Sequence, residues 1–195
     1  MLKWTFIFII ACIAVFVLQM VGIVSDNDFA FTPSLAFERP WTFVTSVFLH
    51  ANFAHLLINM FVLFFLGLGL ESRIGPIHFV ILFLLSGIVG SIGYMITASN
   101  QSIPAVGASG AIYGVLGALA VLTPFAMVYI YGIIPMPMIA VAVIWGLLDF
   151  FGMFAPGDVA HGAHLGGLFV GVLYGFYLRA TVKRRYRKVL LQYYH

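Results

Sequence analysis

Charge is scarce in this sequence. Only 8% of its 195 residues are Asp, Glu, Lys or Arg, where a soluble domain carries about a quarter. With 63% hydrophobic residues and a mean hydropathy of +1.12, one core could not hide the apolar surface from water. The preferred solvent is lipid. Cysteine is nearly absent too. Cys12 is alone, which excludes an internal disulfide, and its apolar setting makes it a small buried hydrophobe. No repeat with a period of about 20–50 residues occurs, which excludes a solenoid. No linker or low-complexity stretch divides the chain. The expectation is therefore one domain over residues 1–195, with a helical core over about 4–178 and a basic tail over 179–195.

What is present is a series of apolar runs with polar breaks, read as six membrane spans. They cover roughly residues 4–24, 54–70, 77–98, 109–124, 138–151 and 160–178. The first could pass for a signal peptide, but it is long enough to span and no small-x-small cleavage site closes it, so it reads as a retained helix. The stretch 125–137 is apolar but too short to cross. Its Tyr129, Tyr131, Pro135 and Pro137 suit a segment lying at the interface. The fold class expected is an all-α membrane protein, a six-transmembrane-helix bundle.

Six spans put both termini on one side. That side would hold Lys3, Arg73, Arg179, Lys183, Arg184, Arg185, Arg187 and Lys188, leaving Arg39 alone on the other. An excess of basic residues marks the cytoplasmic face. The acids Asp26, Asp28, Glu38, Asp149 and Asp158 fall on or near the opposite side. The basic tail reads as a topology signal that also touches anionic lipid, and no nucleic-acid partner is expected.

Polar residues inside apolar spans are costly and mark sites. Three clusters do so. Gly107-Ala108-Ser109-Gly110 opens the fourth span. That span has 16 residues to Pro124, which at about 1.5 Å each is roughly 24 Å against a hydrocarbon core of about 30 Å. Its N-terminus would start below the membrane surface, with free N–H groups able to stabilise an oxyanion. Ser109 could serve there as helix cap and as nucleophile. His161-Gly162-Ala163-His164 opens the sixth span. A serine nucleophile needs a base within about 2.6–3.2 Å, so the fourth and sixth helices must nearly touch. Gly110, Gly114 and Gly117 on one, with Gly167, Gly171 and Gly175 on the other, allow that approach. The third cluster, His50 to Asn59, puts His55 and Asn59 on one helix face as two hydrogen-bond donors.

Together the three clusters resemble the rhomboid family of intramembrane serine proteases. The resemblance rests on H-x-x-x-N at His55–Asn59, G-x-S-G at Gly107–Gly110 and A-H-x-x-G-L at Ala163–Leu168, in the family's order. Glu71-Ser72-Arg73-Ile74-Gly75 is similar to the family's E-x-R-x-G. The resemblance implies Ser109 as nucleophile and His164 as base. It implies an oxyanion hole from His55, Asn59 and the Ser109 N–H, with Tyr113 packed on the histidine and Gly107 and Gly110 flanking the serine. No third, acidic member is expected. A water-filled cavity would open to the non-cytoplasmic side, with lateral substrate access around Phe150, Phe151 and Met153. Trp41-Thr42 departs from the family's Trp-Arg in the first loop.

Other classes fit less of the sequence. A metal site from His50, His55, His161 and His164 would have no accompanying carboxylate or cysteine, and no H-E-x-x-H occurs. The aspartyl route lacks G-x-G-D, and Asp149 and Asp158 sit at a helix end and in a loop. A transporter would show repeated halves with paired broken helices, which are missing. A non-catalytic chaperone on the same fold is the remaining class. The expected partners are transmembrane protein substrates and lipid, with no cofactor and no metal. The expected location is the cell membrane, with cytoplasmic termini.

Overall fold

A computed structural model describes the chain except residues 1, 2, 131, 156, 158, 194 and 195, and describes no side chains in 182–195. Tyr131, used above for the interfacial segment, and Asp158 and the side chains of Lys183, Arg184, Arg185, Arg187 and Lys188, used for topology, lie outside it.

Among the described residues, six long helices carry the architecture. They are α1 (Trp4–Met20), α2 (Phe53–Ile74), α3 (Pro76–Thr97), α4 (Ser109–Leu122), α5 (Met138–Gly152) and α6 (His161–Tyr193). Their positions follow the apolar runs closely. Two of them, α2 and α3, are long and apolar enough by themselves to cross a membrane. The apolar helices α1, α4 and α5 are shorter. The last helix does not stop near residue 178 but continues into the basic segment.

The stretch 125–137, which its sequence places at the interface, has a structure of its own. It folds as an antiparallel hairpin of β1 (Met127–Ile130) and β2 (Ile134–Pro137), paired from Met127↔Pro137 to Ile130↔Ile134. Pro135 and Pro137 lack N–H donors, so a two-stranded ribbon, where each strand is an edge, tolerates them.

Helix α4 is the axis of the bundle. Eleven of its residues are buried, leaving Ser109, Tyr113 and Leu122 as the exceptions. Glycine sets its distance from α6 and α3. A Cβ at Gly167 would overlap the Gly110 carbonyl, and one at Gly171 the Gly114 carbonyl; at Gly117 it would come within 2.6 Å of the Leu168 oxygen. The small residues anticipated on α4 and α6 therefore face each other. A second seam was not anticipated: Gly90 of α3 meets the Ala163 carbonyl, and Gly93 that of Gly162.

Outward-facing side chains are apolar. Ile10, Ile13, Leu57, Phe61, Ile77, Leu148, Phe169 and Phe176 are all exposed. A water-soluble monomer rarely shows so much contiguous apolar surface.

At one end of the bundle, Glu71 near the C-terminus of α2 is buried and accepts hydrogen bonds from Trp4 N (2.8 Å), Thr5 N (3.0 Å) and Thr5 Oγ1 (2.7 Å). A carboxylate thus caps the N-terminus of α1, where donors are free and the dipole is positive. At the other end, the long loop after α1 is tied down without the expected Trp-Arg pair. Arg39 donates to the Asn27 carbonyl, Trp41 Nε1 to the Asp28 carbonyl at 2.9 Å, and buried Thr42 Oγ1 to the Arg39 carbonyl at 2.7 Å.

Candidate active site

The loop before α4 is held rigidly. Phe31 and Ala105 exchange backbone hydrogen bonds, and Gly107 N donates to the Ser46 carbonyl at 2.9 Å. Gly107 has φ +123°, a conformation that side-chain-bearing residues avoid. It also lies against the His55 ring, where a Cβ would come within 2.6 Å of Cε1. Glycine is required there twice over, and the contact carries His55 to the edge of the Ser109 loop.

Ser109 is the first helical residue of α4, not its cap. Ala108 holds the cap position and supplies no side-chain bond. The Ser109 hydroxyl is thereby released, and Oγ lies 2.9 Å from His164 Nε2. His164 stands in the first turn of α6, brought near by the glycine seam. Tyr113, one turn along α4 from Ser109, stacks on the imidazole with ring centroids 4.3 Å apart and planes 9° from parallel. Ser109, Gly107, Gly110 and Ala163 line a small cleft.

The other ring nitrogen is occupied as well, by a group the sequence reading excluded. His164 Nδ1 lies 2.8 Å from Asp149 Oδ1, and His161 Nδ1 lies 2.6 Å from the same oxygen. Asp149 is buried near the end of α5. The expectation of no acid beside the serine and histidine is thus corrected. The first turn of α6 packs against the last turn of α5, and Asp149 faces both histidines. An acid inside an apolar helix was the available signal.

The metal grouping changes with it. His50 and His55 lie together, with centroids 5.2 Å apart, away from the trio of Asp149, His161 and His164. Those three could present ligand atoms within 4.8 Å of one another, so a carboxylate does accompany two of the histidines.

The oxyanion candidates are placed less evenly. His55 borders Gly107, at the edge of the loop that carries Ser109. Asn59 is buried, and its Nδ2 donates to the His55 carbonyl one turn back at 2.8 Å. One amide hydrogen of Asn59 remains to donate elsewhere. Phe150 and Phe151 are exposed beside Asp149, Phe150 packing edge-on against Phe151 and Phe154.

In this helical bundle a serine hydroxyl at a helix N-terminus contacts an imidazole on a neighbouring helix at 2.9 Å, a pairing of a nucleophile with a base. The Rhomboid domain model matches residues 38–181. The chain belongs to the rhomboid family, whose members are integral membrane proteins. It is 35% identical over 156 residues to Rhomboid protein 1, mitochondrial, of Saccharomyces cerevisiae, covering 75% of this chain and 44% of that one. It is 32% identical over 149 residues to YdcA of Bacillus subtilis, provisionally named a rhomboid protease, covering 75% of this chain and 71% of that one. A shorter match, 35% over 79 residues covering 40% of this chain and 22% of the other, is to Inactive RHOMBOID-like protein 8 of Arabidopsis thaliana. The chain therefore spans under half the length of the yeast relative it matches.

Proposed function

We propose that this chain is an intramembrane serine endopeptidase that cleaves transmembrane segments of other membrane proteins, with Ser109 and His164 as its catalytic pair. The observation that carries the reading is the 2.9 Å contact between Ser109 Oγ and His164 Nε2 at the open N-terminus of α4. The inactive branch of the family is disfavoured, since both residues are present and in contact.

In the reaction, Ser109 Oγ attacks a peptide carbonyl while His164 Nε2 takes its proton. The tetrahedral oxyanion is held by the Ser109 N–H, His55 and Asn59. His164 then protonates the departing amine, leaving an acyl-enzyme on Ser109. A water, deprotonated by the same imidazole, hydrolyses it. No metal or cofactor is called for by these steps. The substrate reaches the site laterally past Phe150, Phe151 and Met153. All six helices cross the bilayer as one domain, with both termini on the basic, cytoplasmic side of the cell membrane. The yeast relative is named mitochondrial, so an organelle membrane is the other location to test.

The test is purified Ser109→Ala and His164→Ala protein with a transmembrane substrate. Cleavage should vanish from both while thermal unfolding stays as in wild type. Retained cleavage by Ser109→Ala would refute the mechanism.

A further inference from the structure

Nothing in the pairing of a serine with a histidine requires an acid, yet the buried carboxylate of Asp149 lies 2.8 Å from the far nitrogen of His164. We infer that Asp149 is a positioning residue for catalysis, fixing His164 in the tautomer and orientation that leave Nε2 free to accept the Ser109 proton. The inference rests on the protease reading of the same site.

Tautomer chemistry makes the case. A neutral imidazole carries one N–H, and an ionised carboxylate can only accept. With Asp149 ionised, the contact at His164 Nδ1 is an N–H donated to Oδ1. The unshared pair is then on Nε2, facing Ser109 Oγ at 2.9 Å. The opposite tautomer would place a hydrogen between Nε2 and Oγ and leave no base. It would also set two acceptors, Nδ1 and Oδ1, against each other at 2.8 Å.

The surroundings favour the ionised acid. The same Oδ1 receives His161 Nδ1 at 2.6 Å. Both imidazoles bond this single atom, so both present Nδ1–H. The Tyr113 ring stacks on His164. A protonated Asp149 could not accept equally from both imidazoles. Two donors from the first turn of α6 therefore meet one carboxylate of α5, and His164 is held at one edge by Asp149 and on its face by Tyr113.

During acylation the Ser109 proton moves to Nε2 as the Oγ–C bond forms. His164 becomes an imidazolium paired with the Asp149 carboxylate, which stays ionised and takes no proton. When the leaving amine is protonated from Nε2, the neutral ring returns to the Nδ1–H tautomer.

The test is Asp149→Asn in full-length protein in detergent micelles, with a transmembrane substrate. Turnover should fall by about 10²–10⁴-fold, the range expected when a histidine loses its orienting carboxylate, with KM changed less than about twofold. The acid limb of the kcat–pH profile should move to lower pH, because the imidazolium loses its counter-charge; His161, Tyr113 and His55 are the other titratable groups facing His164 and are unchanged. Asp149→Glu should recover part of the loss. Wild-type kcat in Asp149→Asn, or a loss with an unmoved acid limb, would overturn the inference and leave the Ser109 mechanism intact. If Asp149→Asn does not fold, nitrogen-15 NMR of labelled histidine in wild type reads the tautomer directly. His164 protonated on Nδ1 at neutral pH is expected, and protonation on Nε2 would overturn it. Activity in wild type that chelators abolish and zinc restores would also overturn it, by making the trio a metal site.

Discussion

Two buried carboxylates stand near opposite ends of the bundle, and they do different things. Glu71 is surrounded by backbone and hydroxyl donors of α1, at 2.7–3.0 Å. Asp149 is surrounded by two imidazoles, at 2.6 and 2.8 Å. Both ions are compensated by hydrogen bonds, and among the described residues neither pairs with a lysine or arginine. What differs is the donor. Backbone N–H groups cannot act as acid or base near neutral pH, so Glu71 can only fasten one helix to another. Imidazoles can, so Asp149 acts on a group that titrates. Burial of an acid thus signals a cost that must be met, while its partners say whether the result is a staple or a site.

The comparison is broken most completely at the Asp149 end by Ser109→Ala. It should drop cleavage below detection and leave the unfolding midpoint within a degree or so, since one hydroxyl on a half-buried serine is lost. Assay of cleavage beside thermal unfolding in one detergent checks it. Asn59→Ala should come next, lowering kcat by about 10²–10³ with little change in KM, because an oxyanion donor acts mainly in the transition state. Unaltered turnover would make Asn59 a packing residue tied to the His55 carbonyl.

Glu71→Ala addresses the other end. It strands the N–H groups of Trp4 and Thr5, and hydrogen bonds to a charged group contribute about 1.5–3 kcal/mol each. A loss of about 3 kcal/mol in stability is expected, with kcat per folded molecule unchanged. Denaturation in mixed micelles with active-site titration separates the two. A kcat defect in folded Glu71→Ala would blur the division between staple and site.

The smallest expected effect is at His50, which lies in the loop before α2. Neither of its ring nitrogens has a hydrogen-bond partner among the described residues. Burial, helped by the neighbouring charge of His55, lowers its pKa from 6.5 to about 4. The unfolded chain therefore binds the proton more readily. The native state is favoured above pH 6.5, and the advantage is lost as pH falls from 6.5 through about 4. Between pH 7 and pH 5 the fold should weaken by about 2 kcal/mol from this group. His50→Phe should flatten that part of the stability–pH curve.

Much of the site was legible because its signals are local. Ser109 begins α4 where the short apolar span begins, and glycines three or four residues apart bring α4 and α6 together as their periodicity requires. The pairing of Asp149 with His164 was not legible, because it depends on how α6 packs against α5, and nothing in the spacing of 15 residues fixes that. The α3 seam through Gly90 and Gly93 was hidden for a related reason: glycine in an apolar helix gives no sign of which neighbour it faces. The hairpin at 127–137 was not legible because two prolines in a short run argue against a sheet, although an isolated ribbon accepts them.

The central claim is that Ser109 is a nucleophile made reactive by His164. The most direct measurement is mass spectrometry of the intact protein and its Ser109 peptide after exposure to a fluorophosphonate. One adduct per chain, on Ser109, is predicted in wild type, with none in Ser109→Ala and severe slowing in His164→Ala. Wild-type protein that is folded but unmodified at Ser109, or modified equally fast in His164→Ala, would contradict it.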